Sequence, residues 1–292
     1  MDKPLVSVIT ITRNRGKLIG RCIASVLNQT YKNIEYIIID GASDDNTDEV
    51  VSSFQDERLK YVKLETNWPI KETLDHGISL CQGKYITFLD SDDEYLPQKI
   101  EKQVDLIESL PEEYGLIYCW MTYYDNETHQ VLSVHKPELK GDVRDEVIGE
   151  PIISGTPTLM FRRELLIKLD GWKSPDETGI ISDWELCARA CQITKVDFIP
   201  ESLVNVYENH GSVRQSDSAY YDKVCPRTIK FSQYFLSHFA ENFNRRPDQI
   251  FYHYWIFFTN NFRMRRYGAA AKWLAKAAAK NPRALIKKLF HV

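Results

Sequence analysis

Four short apolar runs alternate with helix-spaced stretches through the first 90 residues, and no other feature restricts the fold of this chain as tightly. Residues 5–12 (LVSVITIT), 34–39 (IEYIII), 59–64 (LKYVKL) and 85–89 (YITFL) are rich in β-branched and aromatic residues and read as strands. Between them, 17–28, 46–54 and 71–81 carry helical patterns, with Leu18, Ile19, Cys22, Ile23, Val26 and Leu27 forming the inward stripe of the first. Strands alternating with helices imply an open, largely parallel sheet, because each helix returns the chain to start the next strand in the same direction. The run at 85–89 is continuously apolar, as expected of a strand covered on both faces.

Ligands of such sheets bind beyond the carboxyl ends of the strands. Three polar clusters fall there: Thr12, Asn14 and Arg15 after the first strand, Asp40, Ser43 and Asp45 after the second, and Asp90-Ser91-Asp92-Asp93 after the fourth. Three aspartates in four residues repel one another, and a divalent cation held between them relieves that repulsion. The alternative is a solvated acidic turn ahead of the following helix. Asp40, and after it Asp45, could accept hydrogen bonds from a base imide or a ribose hydroxyl, whereas Asp44 reads as a helix cap. Arg15 could contact phosphate. Neither GxGxxG nor GxxxxGK occurs, so a diphosphate would be neutralised mainly by metal, Mn2+ or Mg2+.

Length and charge narrow the class. The 292 residues suit one large domain with an appendage, and 43% hydrophobic content suffices for a core. Six scattered cysteines form no paired framework, the start MDKPLVSV lacks an apolar leader, and a cytoplasmic protein with reduced thiols is expected. No run approaches the roughly 18 apolar residues of a membrane span. The net charge of −4 hides an asymmetry: from Phe251 onward there are nine Lys or Arg and no Asp or Glu, which leaves −13 on the first 250 residues. The body is therefore no nucleic-acid binder by charge. The tail 251–292, aromatic at its head and basic throughout, reads either as an anchor on the anionic inner face of a membrane or as a helical cap or homo-oligomer contact.

VSVITITRNR, IIIDGASDDNT, GKYITFLDSDD and SDWELCAR, in this order, resemble glycosyltransferase family 2, with the likeness running over 4–215. The resemblance implies the α/β GT-A fold, Rossmann-like with a mostly parallel central sheet flanked by helices, and here a helical C-terminal extension. It divides the chain into a transferase domain, 1–217, with a nucleotide-binding half (1–95) and an acceptor-binding half (96–217), followed by a basic extension, 218–292. It further implies a nucleotide-sugar donor, UDP-linked in our reading, a metal at a DxD motif and inversion at the anomeric carbon. By the match Asp90 lies near the ribose and the metal, Ser91 with it in the donor site, Asp92 is the principal metal ligand and Asp40 pairs with the base. Asp75 stands where many members carry asparagine, and Ser182 where most carry an acid.

The second half supplies the acceptor side. Gly155-Thr156 would let a substrate approach the backbone closely. Trp172 offers an aromatic surface of the kind sugars stack on, or else a core residue; Trp184 is grouped with it. In an inverting displacement the acceptor hydroxyl must lose its proton as it attacks, and one carboxylate serves as general base. Asp183 matches the family's base position; the plain alternative is a helix-start Asp favoured by the macrodipole. His210 in the loop after the last strand could complete the metal shell, and Arg214 could close over the diphosphate. The expected function is an inverting glycosyltransferase of surface polysaccharide or glycolipid synthesis, acting on a glycan or lipid-linked hydroxyl. Its rivals are an inactive nucleotide-sugar-binding module and a sugar nucleotidyltransferase; the latter needs more glycine after the first strand than 12–17 offers.

Overall fold

The computed structural model describes residues 3–173, 180–208 and 218–290. It divides into two compact units, one of Met1–Asp142, Ile153–Trp172 and Arg189–His210, the other of Val143–Ile152, Lys173–Ala188 and Gly211–Val292.

The first unit is built on a nine-stranded sheet. Its strands are β1 (Val6–Thr12), β2 (Ile34–Asp40), β3 (Leu59–Lys63), β4 (Tyr85–Phe88), β5 (Glu94–Tyr95), β6 (Tyr114–Asp125), β7 (Val131–His135), β8 (Met160–Arg162) and β9 (Lys195–Glu208). They lie in the order β3-β2-β1-β4-β8-β6-β9-β5, with β7 paired to β6. β1 to β4 are mutually parallel, as is the β6–β9 pair; β8, β5 and β7 join antiparallel. The helices of this unit are α1 (Ile19–Leu27), α2 (Thr47–Ser52), α3 (Ile70–Leu80), α4 (Lys99–Ser109) and α5 (Arg163–Lys168).

The central strands are buried on both sides. Val6, Val8 and Ile38 are wholly buried in one core with Ile19, Cys22, Ile23 and Val26 of α1, and Ile37 is wholly buried outside that cluster. From α3, Gly77 comes so close to β1 that a Cβ there would stand 2.9 Å from Ile9 Cγ2, so the bare backbone sets that approach. The register aligns Thr12 with Asp40 and Ile9 with Phe88, which brings the carboxyl ends of β1, β2 and β4 to one rim. β9 pairs with β6 along most of its length. Its register against β6 passes from Cys119–Ile199 to Trp120–Ser202, so Pro200 and Glu201 are carried in an irregularity, the position open to a residue with no N–H to donate.

The second unit is helical. α6 (Asp183–Cys191) begins in it, and α7 (Ser218–His238), α8 (Ala240–Arg245), α9 (Phe251–Arg263), α10 (Tyr267–Lys280) and α11 (Pro282–Phe290) follow. Beyond the C-terminal helices this unit takes in Val143–Ile152 and Lys173–Ala188, stretches inside the expected transferase span of 1–217. The reason is visible in the contacts. Trp184 lies 4.2 Å from Phe235 and 5.5 Å from His253, centroid to centroid, and its indole N–H donates to the Val147 carbonyl at 2.6 Å. Asp145 receives the Arg245 guanidinium and the Asn242 amide.

Candidate active site

At the shared rim of β1, β2 and β4 lies an open cleft of about 290 Å³. Its floor and walls include Thr12, Arg13 and Arg15 from the β1 end, Gly41 from the β2 end, Asn67 and Trp68 from the β3–α3 connection, Ile70 and Thr73 from the first turn of α3, and Asp90, Ser91 and Asp92 from the β4 end. Thr12, Arg15, Asp90, Ser91 and Asp92 of the expected donor residues therefore meet in one place. Asn14, Asp40, Ser43 and Asp45 do not line it.

Those four instead tie two loops together. The Ser43 hydroxyl donates to Asp40 Oδ1 at 2.7 Å and accepts the Asn14 N–H at 2.8 Å, while Asn14 Oδ1 accepts the Asp44 N–H at 3.0 Å. Asn14 has φ 54, a left-handed conformation that asparagine tolerates better than most residues. Asp45 accepts the Gly16 and Thr47 N–H groups and the Thr47 hydroxyl, and these bonds, the hydroxyl's above all, hold its carboxyl below the usual range. Asp40 is fully buried. Its Oδ1 takes the Ser43 N–H and hydroxyl and its Oδ2 the Tyr61 hydroxyl. The expected base contact of Asp40 thus falls on a carboxylate already holding the β2 turn and Tyr61.

The aspartate loop is fixed from behind. The Asp93 N–H closes a turn on the Asp90 carbonyl at 3.0 Å. Asp93 itself is buried and accepts the Tyr207 N–H at 3.1 Å; burial first, then the neighbouring Asp90 and Asp92, push its carboxyl up to about 8. The Arg21 guanidinium from α1 donates to the Asp92 carbonyl and lies 3.5 Å above the Tyr207 ring, joining α1, the aspartate loop and the end of β9. The Asp92 carboxylate reaches Arg15 across the cleft at 3.8 Å.

Among the described residues no group of three or more His, Cys, Asp or Glu is arranged to hold a metal. Asp90 and Asp92 nonetheless line the cleft as two carboxylates two positions apart. That donor set fits Mg2+ or Mn2+, which commonly take one or two carboxylates and complete their shell with phosphate and water. His210 and Arg214 lie outside the described residues.

The acceptor-side expectations fare differently. Trp172 is 2% exposed, with its ring edge-on to Phe88 at 5.6 Å, and Trp184 is 5% exposed within the aromatic cluster described above. Both rings are committed to cores and offer no face to a sugar, which corrects that expectation. Gly155 has φ +90, and a Cβ there would lie 2.6 Å from Met121 Sδ, so its bareness accommodates Met121. Thr156 opens a short 3-10 turn and is half-buried. Asp75 accepts the Trp172 N–H at 3.0 Å and pairs with Lys71, which gives it a structural post at the Gly171 turn. Asp183 begins α6, half-buried, and its carboxylate accepts the Trp184 N–H at 2.7 Å. Sequence reasoning passed over Arg21, Asn67, Trp68 and Tyr207. A Trp-Pro pair just past a strand's carboxyl end was the available sign for Trp68.

Comparison with known proteins places these features. The family model for Glycosyl transferase family 2 matches residues 7–170. An uncharacterized glycosyltransferase of Methanocaldococcus jannaschii is 32% identical over 174 residues, covering 58% of this chain and 59% of the relative. The chain spans 42–59% of the length of the first curated relatives it matches. Among solved structures, residues 1–349 of S. aureus TarS in complex with UDP-GlcNAc align with a TM-score of 0.64 at 16% identity, covering 96% of this chain and 82% of that one. The mannosyltransferase PcManGT from Pyrobaculum calidifontis, in complex with GDP-Man and Mn2+, aligns with a TM-score of 0.62 at 19% identity, covering 99% and 79%. At these identities the likeness is one of fold, the α/β GT-A arrangement.

Proposed function

This chain belongs to glycosyltransferase family 2, and we propose that it moves a sugar, with inversion, from a nucleoside-diphosphate sugar to a hydroxyl of a glycan or lipid-linked acceptor. The observation that carries this reading is the rim cleft, where two carboxylates, two arginines and a buried threonine hydroxyl meet at the carboxyl ends of parallel strands. The donor's diphosphate lies between Arg15 and the aspartate loop. Asp92, supported by Asp90, would hold Mn2+ or Mg2+, whose charge offsets that of the departing diphosphate. UDP is the favoured nucleotide, by analogy with the UDP-GlcNAc complex of the TarS structure.

Asp183 is the general base in this reading, assigned by the order of motifs along the chain. Its carboxylate takes the proton of the acceptor hydroxyl, the freed oxygen attacks the anomeric carbon from the face opposite the diphosphate, and the bond to the diphosphate oxygen breaks. The transferase domain is 1–217, and 218–292 is its helical extension. Two variants test the scheme. Asp92→Asn keeps size and loses the ligand, so Mn2+-dependent nucleotide binding should vanish; Asp183→Asn should bind nucleotide as the wild type does and turn over roughly 100-fold or more slowly. Undiminished Mn2+-dependent affinity in the first would overturn the metal assignment, and an equal loss of donor binding in the second would make Asp183 structural.

A second reading concerns location. Phe262 and Tyr267 are 55% and 59% exposed and touch each other at 5.5 Å, and Ile286 and Leu289 are also exposed, all within a segment of nine cations and no acid. No helix of the described residues is long and apolar enough to cross a membrane. Aromatic and basic side chains on one segment suit the surface of an anionic bilayer, which would hold the enzyme at the inner face of the cell membrane.

A further inference from the structure

Among the described residues Trp68 is the one aromatic side chain lining the rim cleft, and it is 39% exposed. A tryptophan normally buries 150–250 Å², so a half-open ring in a concave, polar cleft leaves unused the largest apolar contact that the cleft can offer. The ring is held in place. Pro69 follows it and restricts Trp68 to extended backbone, and α3 begins at once, so that His76 braces the indole edge-on at 5.4 Å and 61°.

Polarity within the cleft is graded. Asp90 and Asp92 stand at the β4 end with Arg15, whereas Trp68 and Asn67 come from the β3–α3 connection. Asn67 sits against the bare backbone of Gly41, where a Cβ would lie 2.8 Å from its Oδ1. Between these groups is Thr12, 6% exposed, whose Oγ1 is buried and has no hydrogen-bond partner among the described residues. A buried hydroxyl left without a partner is destabilising, and a ligand in the cleft would supply one. Asp40, the residue expected to read the base, is enclosed and already bonded, so recognition of the base has to come from the residues that do line the cleft.

We propose that Trp68 is the specificity platform of the donor cleft: its indole stacks on the planar base of the nucleotide, with the Asn67 amide at the base's hydrogen-bonding edge. The inference rests on the donor reading above and adds the part of the donor that this cleft selects. It predicts that affinity follows the base, whereas the metal and Arg15 answer to the diphosphate.

The test titrates the full chain with UDP, GDP and inorganic pyrophosphate in the presence of Mn2+, by calorimetry and by tryptophan fluorescence. UDP or GDP should quench the wild type, and pyrophosphate should not. Trp68→Ala should weaken nucleoside-diphosphate binding about 10-fold or more, the scale of base–aromatic stacking, and leave pyrophosphate affinity unchanged. Trp68→Phe, which keeps an aromatic face, should retain most of the affinity while losing the quench. Wild-type nucleotide affinity in Trp68→Ala, with circular dichroism showing it folded, would overturn the platform and leave the donor reading standing. Persistence of the quench in Trp68→Phe would move the signal to another tryptophan and likewise overturn it. If neither nucleotide binds the wild type, the donor reading and this inference fall together.

Discussion

Lowering the pH should unload a specific amount of stability from the helical unit, and His253 is where it is set. The ring is wholly buried, with Nε2 at 2.9 Å from the Ile148 carbonyl, Nδ1 at 2.6 Å from the Ser232 hydroxyl, and Phe243 edge-on at 5.3 Å. A carbonyl only accepts, so Nε2 carries the hydrogen and Nδ1 accepts from Ser232. Burial holds the pKa down to about 4 from an ordinary 6.5. Above 6.5 the imidazole is neutral whether the chain is folded or not, and the stability it supports is complete. Below 6.5 the unfolded chain binds a proton that the folded one refuses, so stability falls by about 1.4 kcal/mol per pH unit until the folded ring also titrates near 4. The loss amounts to about 3 kcal/mol across the window, and about 2 kcal/mol of it is gone by roughly pH 5. Urea unfolding of the wild type and of His253→Gln at several pH values isolates this share, because carboxylates common to both proteins cancel in the difference. The wild type should lose stability relative to the variant with the slope given. A difference that stays flat from 6.5 to about 5 would mean that the folded ring titrates as freely as the unfolded one, and would refute the argument.

Removing the brace behind the aspartate loop should reach the cleft without unfolding the protein: Arg21→Ala is expected to lower Mn2+-dependent nucleotide affinity about 10-fold with little change in melting temperature, and Arg21→Lys should not restore it, because lysine lacks the planar face that covers Tyr207. Isothermal calorimetry with and without Mn2+ decides this. Lys99, fully buried with its ammonium 3.9 Å over the Tyr95 ring and bonded to Thr87 Oγ1 at 2.6 Å, has its pKa pulled down to about 7 by burial. The unfolded chain keeps this proton up to about 10.5, so the folded state is penalised as pH falls from there to about 7, and Lys99→Met should raise the neutral-pH melting temperature by an amount corresponding to about 1–4 kcal/mol. Replacing Lys276, Lys280, Lys287 and Lys288 with glutamine should release the protein from acidic vesicles at about 0.1 M salt, where screening reaches about 10 Å, while activity on a soluble acceptor survives; failure of the wild type to bind such vesicles in low-salt cosedimentation would refute the membrane reading.

The strand–helix alternation was legible because local periodicity records which faces are buried. α1, α2 and α3 fall within a residue or two of the spans at 17–28, 46–54 and 71–81. That Thr12, Asp90 and Asp92 share a rim also followed from the sequence, since parallel strands place their carboxyl ends together whatever their order. Side-chain partners did not follow. Asp40 and Asp45 stand at the right strand end, yet their oxygens are taken by Tyr61, Ser43, Thr47 and Gly16, contacts set by how two loops meet. Trp172 and Trp184 sit beside family motifs, and burial by distant residues such as Phe88 and Phe235 decided that they serve packing. The sequence by itself determined the architecture and the end of the sheet at which the candidate site lies, because both depend on repeating local patterns. Only the tertiary structure decided which polar groups remain available to a ligand, because that depends on the one neighbour that reaches each of them first.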